Sequence, residues 1–125
     1  MSKQRILIVD DEESFTRLLK LNLHATGRYE VREENWAGGA LTAAREFKPD
    51  LVLLDVMMPQ QFGGDVAATF QADVELKDIP IVFLSAAVRK ERVAEHGGVI
   101  SGRPFLAKPV DIDEVIACIE QYARK

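Results

Sequence analysis

The chain is short of cysteine, of basic excess and of long apolar runs, and each shortage removes a class of function. Cys118 is its only cysteine, so no intramolecular disulfide can form, and a reducing compartment fits. There are 16 Lys and Arg against 20 Asp and Glu, a formal net charge of −4. A sequence-independent nucleic-acid binder needs a basic surface, so direct nucleic-acid binding is not expected. No apolar run approaches the ~20 residues of a membrane span, and the amino terminus lacks a signal-peptide core. Internal repeats, low-complexity tracts and interdomain linkers are also missing. The expectation for 125 residues is one cytoplasmic domain over 1–125 with no output domain within it, either stand-alone or cut from a longer protein.

What the chain does have is a series of solid apolar blocks, each ending in a polar residue. Leu51-Val52-Leu53-Leu54-Asp55 is the clearest: branched apolar residues in a row read as a central strand buried on both faces. Pro49-Asp50 stands before it, and Pro59 with Gly63-Gly64 behind it. Ile6-Leu7-Ile8-Val9 and Ile81-Val82-Phe83-Leu84 repeat the pattern, and 103–107 reads as the last strand. Tyr29-Glu30-Val31-Arg32-Glu33 instead alternates, as an edge strand does.

Between the strands lie helical patterns at 14–24, 37–47, 65–72, 88–96 and 112–123. The first presents Phe15, Leu18, Leu19 and Leu23, with a hydrogen-bonded Asn22 in the arc, and Gly27 ends it. The third turns Val66 and Phe70 inward. A polar connection at 73–80 then carries Val74, Leu76 and Ile79 as anchors. The helix at 88–96 is rich in charge and weak in apolar anchors. Val99-Ile100 is expected in a loop. Asp111 with Glu114 approaches a capping box for the last helix, whose stripe is Ile112, Val115, Ile116 and Ile119. Alternation of five strands and five helices implies an α/β fold, a doubly wound parallel sheet of order 2-1-3-4-5.

Four strands would bring their polar ends to the same edge: Asp10 and Asp11, Asp55, Ser85, and Lys108. Ligands bind at that edge in open α/β sheets. Two carboxylates ~4 Å apart repel by on the order of 4 kcal/mol at an effective dielectric near 20, so the acids need cations. Lys108 supplies one, and a divalent metal the rest; few carboxylates and open water positions suit magnesium better than calcium. A strand-end aspartate beside a metal and a lysine is an acceptor for phosphoryl transfer.

Val9-Asp10-Asp11-Glu12, Asp55-Val56-Met57-Met58-Pro59 with Gly63, Leu84-Ser85-Ala86 and Lys108-Pro109 together resemble a response-regulator receiver domain of bacterial two-component signalling, of the stand-alone chemotaxis-regulator kind. The resemblance spans nearly the whole chain and implies a flavodoxin-like three-layer sandwich. It also implies that Asp55 takes a phosphoryl group from a sensor histidine kinase or histidine phosphotransfer protein. Asp10, Asp11, Asp55 and the Met57 carbonyl would hold Mg2+, while Ser85 and Lys108 would each meet a phosphoryl oxygen. Phe105 matches the family's switch aromatic, often tyrosine.

The output would be the surface of the 88–96 helix, the last strand and the last helix, with Arg89, Lys90, Arg92 and Arg103 either candidate contacts to a downstream protein or solvated surface charges. Such a protein would be a monomer or a phosphorylation-dependent dimer, with at most self-catalysed phosphorylation and autodephosphorylation. A cis Lys108–Pro109 bond is expected. The segment 97–104 departs from the family pattern.

Other readings share the layout. A flavodoxin-like cofactor binder needs a neutral phosphate loop where Asp10-Asp11-Glu12-Glu13 stands. A phosphatase of the haloacid-dehalogenase type needs a second acid where Met57 stands. A degenerate receiver, binding partners without phosphorylation, would not need the full set of site residues found here.

Overall fold

The computed structural model describes residues 3–58, 61–86, 99–100 and 103–124. The strands are β1 (Gln4–Val9), β2 (Tyr29–Glu34), β3 (Leu51–Asp55), β4 (Met57–Met58), β5 (Gln61–Phe62), β6 (Ile81–Ser85), β7 (Val99–Ile100) and β8 (Arg103–Ala107). The described helices are α1 (Glu13–Ala25), α2 (Ala40–Phe47), α3 (Gly63–Ala72) and α4 (Ile112–Tyr122), with a 3-10 turn at Ala37–Gly39 before α2. The Pro59 stop, the helix expected at 88–96 with Arg89, Lys90 and Arg92, and the Gly97-Gly98 and Ser101-Gly102 pairs lie outside the described residues.

The main sheet runs β2-β1-β3-β6-β8-β7, its first five strands all parallel. That is the doubly wound, flavodoxin-like order 2-1-3-4-5 expected from the sequence. Side chains alternate faces along each strand, and the core divides accordingly. Leu7, Val9, Val52, Leu54, Ile81 and Phe83 meet the buried alanines of α2 and Val66 and Phe70 of α3. Ile6, Ile8, Leu51, Leu53, Val82 and Leu84 meet Leu19 and Leu23 of α1 and Val115 and Ile119 of α4. Strands covered by helices on both sides have no solvent face, hence the unbroken apolar blocks. The outer strand β2 buries Tyr29 and Val31 and leaves Glu30 exposed. The Lys108–Pro109 peptide bond is cis.

Four details correct the sequence-based expectation. Val99–Ile100 is not loop; it pairs antiparallel with β8, Val99 opposite Pro104 and Ile100 opposite Arg103. β-Branched residues there take up the otherwise open edge of β8. The buried stripe of α1 is Thr16, Leu19 and Leu23, while Leu18 is 61% exposed and Asn22 is exposed. The stripe turns because the Thr16 hydroxyl has polar partners inside, described below. In the 73–80 connection Leu76 and Ile79 are buried but Val74 is 83% exposed. Asp111 stands at the amino cap of α4 with extended backbone, yet its side chain makes no capping hydrogen bond.

Phe70 is 1% exposed between α3 and the sheet, so Phe70→Ala should cost about 3–5 kcal/mol in denaturant unfolding. Val74→Ala should change stability by less than about 0.5 kcal/mol. A large loss at Val74 would contradict its placement on the surface.

Candidate functional site

Each strand that reaches the carboxyl edge stops where its apolar run stops, so the next side chain emerges at the rim. Asp10 follows β1, Asp55 ends β3, Ser85 ends β6 and Lys108 follows β8. Register brings them level, with Val9 beside Leu54, Asp55 beside Leu84, and Ser85 beside Ala107. Two backbone bonds tie the rim together: Val56 N–H to Leu84 O at 3.0 Å, and Lys108 N–H to Ser85 O at 2.9 Å.

The carboxylates of Asp10, Asp11 and Asp55 each offer an oxygen within 4.8 Å of the others. Asp10 is wholly buried, Asp55 is 5% exposed, and Asp11 faces solvent. Lys108 Nζ stands 2.6 Å from Asp10 Oδ2, 3.0 Å from Glu12 Oε1 and 3.7 Å from Asp55 Oδ1. A cleft of about 500 Å³, lined by Asp11, Glu12, Asp55, Met57, Ala86 and Lys108, opens beside them.

Burial raises the Asp55 carboxyl, and the neighbouring Asp10 charge raises it further; Lys108 and the Met57 backbone N–H pull the other way, leaving it at about 6. Burial likewise raises Asp10, against the pull of Lys108 and the Glu12 N–H. For Lys108, burial disfavours the ammonium, but contacts with Asp10 and Glu12 outweigh it and the pKa rises. The site is therefore an acid-rich pocket whose lysine stays charged.

The pocket suits a hard divalent cation. Asp10 Oδ2 is buried without a hydrogen bond, its approach to Lys108 being a close charge contact outside hydrogen-bond geometry. That one ammonium is shared among Asp10, Glu12 and Asp55, so the clustered carboxylates keep an excess of negative charge that a further cation would offset. The surrounding donors are all oxygens, as such ions require.

The arrangement thus gathers Asp10, Asp11, Asp55 and Lys108, with Met57 on the cleft wall and the Ser85 backbone joined to Lys108. Ser85 itself is buried at 2% exposure. Phe105 stands apart from the acids, half-buried on the α2–α3 side, its ring tilted 38° to Phe83 with centroids 5.2 Å apart. The sequence put Phe15 on a helix face and Glu12 in the acidic run, but gave neither of them, nor Thr16 or Asn35, a contact in the site. Glu12 binds the lysine, and the Phe15 ring centroid lies 4.6 Å from Lys108 Nζ. Asn35 Nδ2 donates to the Asp10 carbonyl at 2.8 Å and to Thr16 Oγ1 at 2.9 Å. The acidic run pointed to Glu12; for Asn35 the signal was its position one residue past an edge strand parallel to β1.

Comparison with known proteins bears on the fold and the family. A family model described as "Response regulator receiver domain" matches residues 6–120. The chain is 36% identical over 124 residues to the DNA-binding response regulator MtrA of Mycolicibacterium smegmatis, covering 98% of this chain and 52% of that protein. It thus spans about half the length of the first curated relatives it matches. It is 31% identical over 120 residues to the polar-differentiation response regulator DivK of Brucella anthropi, covering 94% of each. In fold it is similar to the Vibrio cholerae chemotaxis protein CheY4, with a TM-score of 0.80, 23% identity, and 97% and 99% of the two chains covered.

The raised carboxyls set the pH dependence of the metal-free protein. A carboxyl at 3.8 unfolded and about 6 folded binds its proton more tightly when folded, so its contribution is greatest at low pH and is lost as pH rises from about 4 to 6. Asp10 adds in the same direction. With a chelator present, Asp55→Asn should raise stability at pH 7.5 by up to about 3 kcal/mol and flatten the decline between pH 4 and 7. Equal pH profiles for the two proteins would contradict the burial of the Asp55 charge.

Proposed function

The chain belongs to the response regulator receiver domain family, and on that premise we propose that Asp55 is its phosphoacceptor. Receiver domains are signalling domains whose partners are histidine kinases or phosphotransfer proteins. One observation carries the residue assignment: Asp55 ends the central strand with Asp10 and Asp11 within 4.8 Å and Lys108 Nζ at 3.7 Å.

A carboxylate oxygen of Asp55 bonds to phosphorus as the phosphorus–nitrogen bond of a phosphohistidine breaks. The bonding pair leaves on the imidazole nitrogen, and the product is an acyl phosphate. Its negative charge needs fixed cations and donors in a pocket with little water. Lys108 supplies one positive charge and the Ser85 hydroxyl a hydrogen bond to another phosphoryl oxygen. Asp10, Asp11, Asp55 and the Met57 carbonyl would hold Mg2+, which when bound offsets carboxylate repulsion and phosphoryl charge. Small acyl phosphates would serve as alternative donors through self-catalysed transfer, followed by autodephosphorylation.

The added charge is read out along β8. Phe105 precedes Lys108 by three residues and rests on Phe83, so movement at Ser85 and Lys108 reaches its ring through the strand. The reader is a downstream protein in the cytoplasm. No described helix is long and apolar enough to cross a membrane.

Incubation with a small acyl phosphate and Mg2+, followed by mass mapping, should place a single adduct on Asp55. Asp55→Asn should lose it, and Lys108→Ala should slow its formation by 10-fold or more, the scale of losing one charge-stabilising group. An adduct carried undiminished by Asp55→Asn would sink the assignment.

A further inference from the structure

Asp10 is gripped at its backbone as well as at its carboxylate. Its N–H donates to Glu34 O at 3.1 Å, in line with the β1–β2 register that pairs Val9 with Glu34. One residue further along β2, Asn35 comes level with Asp10, and its amide donates to the Asp10 carbonyl at 2.8 Å. The second amide proton goes to Thr16 Oγ1 at 2.9 Å, on a side chain with no exposed surface. Thr16 Oγ1 in turn lies 3.0 Å from Glu33 Oε2, a charged acceptor, and 3.1 Å from the Glu13 carbonyl. Glu33 is steadied by Arg17 at 3.5 Å and Lys20 at 4.0 Å. Asp10 Oδ1 accepts the Glu12 N–H at 3.0 Å. With its N–H, its carbonyl and one carboxylate oxygen held, Asp10 keeps Oδ2 on the side of Lys108 Nζ, 2.6 Å away, in the carboxylate cluster it forms with Asp11 and Asp55.

We propose that Asn35 is a positioning residue for Asp10: its amide clamps the Asp10 peptide so that Oδ2 faces the cation, and Thr16, oriented by Glu33, sets that amide. The inference rests on the reading of the pocket as a Mg2+-dependent receiver site. Partners beyond the direct ligands orient metal-binding groups, and losing one typically costs about 10–100-fold in affinity. Here it would act through the backbone carbonyl, and only a side chain with two donors bridges Asp10 and Thr16. It also explains why α1 buries a threonine where an apolar residue would pack better.

Calorimetric titration of the full 125-residue chain with Mg2+ alone tests this, beside thermal unfolding without metal. Asn35→Ala should weaken binding by about 10-fold or more. Thr16→Val, which keeps the shape and loses the hydroxyl, should weaken it in the same direction, while Thr16→Ser should retain the parent affinity. Labelling from a small acyl phosphate should recover in each variant once Mg2+ saturates, since affinity is lost and not the acceptor. If Asn35→Ala fails to fold, the Thr16 pair decides alone. Parent-like Mg2+ affinity in Asn35→Ala, or equal losses in Thr16→Ser and Thr16→Val, would overturn the proposal. A parent chain that binds no Mg2+ would overturn the reading of the pocket itself, and the proposal with it.

Discussion

Two carboxylates, Asp10 and Asp55, are held almost wholly out of solvent at the carboxyl edge of the sheet, and Lys108 is the cation that meets both. Burying like charges side by side is unfavourable, and one ammonium balances only part of it. The surplus appears as the raised Asp55 and Asp10 carboxyls. A pocket left short of positive charge by its own side chains is suited to bind a cation and then a phosphoryl group. The ammonium is nearest Asp10 and Glu12 and farther from Asp55, so Asp55 is the less neutralised of the two buried acids.

The rest of the fold keeps this imbalance in place. Parallel strands cannot be joined by tight turns, so each returns through a crossover and delivers its carboxyl end to the same rim. The two core layers, one under α2 and α3 and one under α1 and α4, fix the strands from both sides. A one-residue slip would send every strand side chain to the opposite layer. Pocket distances therefore follow from strand register.

Helix α1 shows where local patterning gives way to the site. Its apolar residues favour an inner face around Phe15, Leu18 and Leu19, but the helix buries Thr16 and leaves Leu18 outside. A threonine held by Asn35 and Glu33 outweighs the apolar surface that Leu18 could bury. The same rotation sets Phe15 beside the Lys108 ammonium. In the 73–80 connection no such demand exists, and Val74 stays outside because Leu76 and Ile79 already fill the space.

The strands, their order and the residues at their ends were legible in the amino-acid sequence, because an apolar block closed by a polar residue is a pattern along the chain. The sequence alone determined that Asp10, Asp11, Asp55, Ser85 and Lys108 share one edge, and that Tyr29 to Glu34 forms an outer strand. It did not reveal the antiparallel Val99–Ile100 strand, whose partner is a free sheet edge rather than a local pattern. Nor did it reveal that Glu12 shares the lysine, or that Asn35 grips the Asp10 peptide through Thr16. Those contacts join residues far apart along the chain, such as Glu12 with Lys108 and Asp10 with Asn35. Only tertiary structure decided them, because they depend on which residues come level across strands and how far each helix turns about its axis.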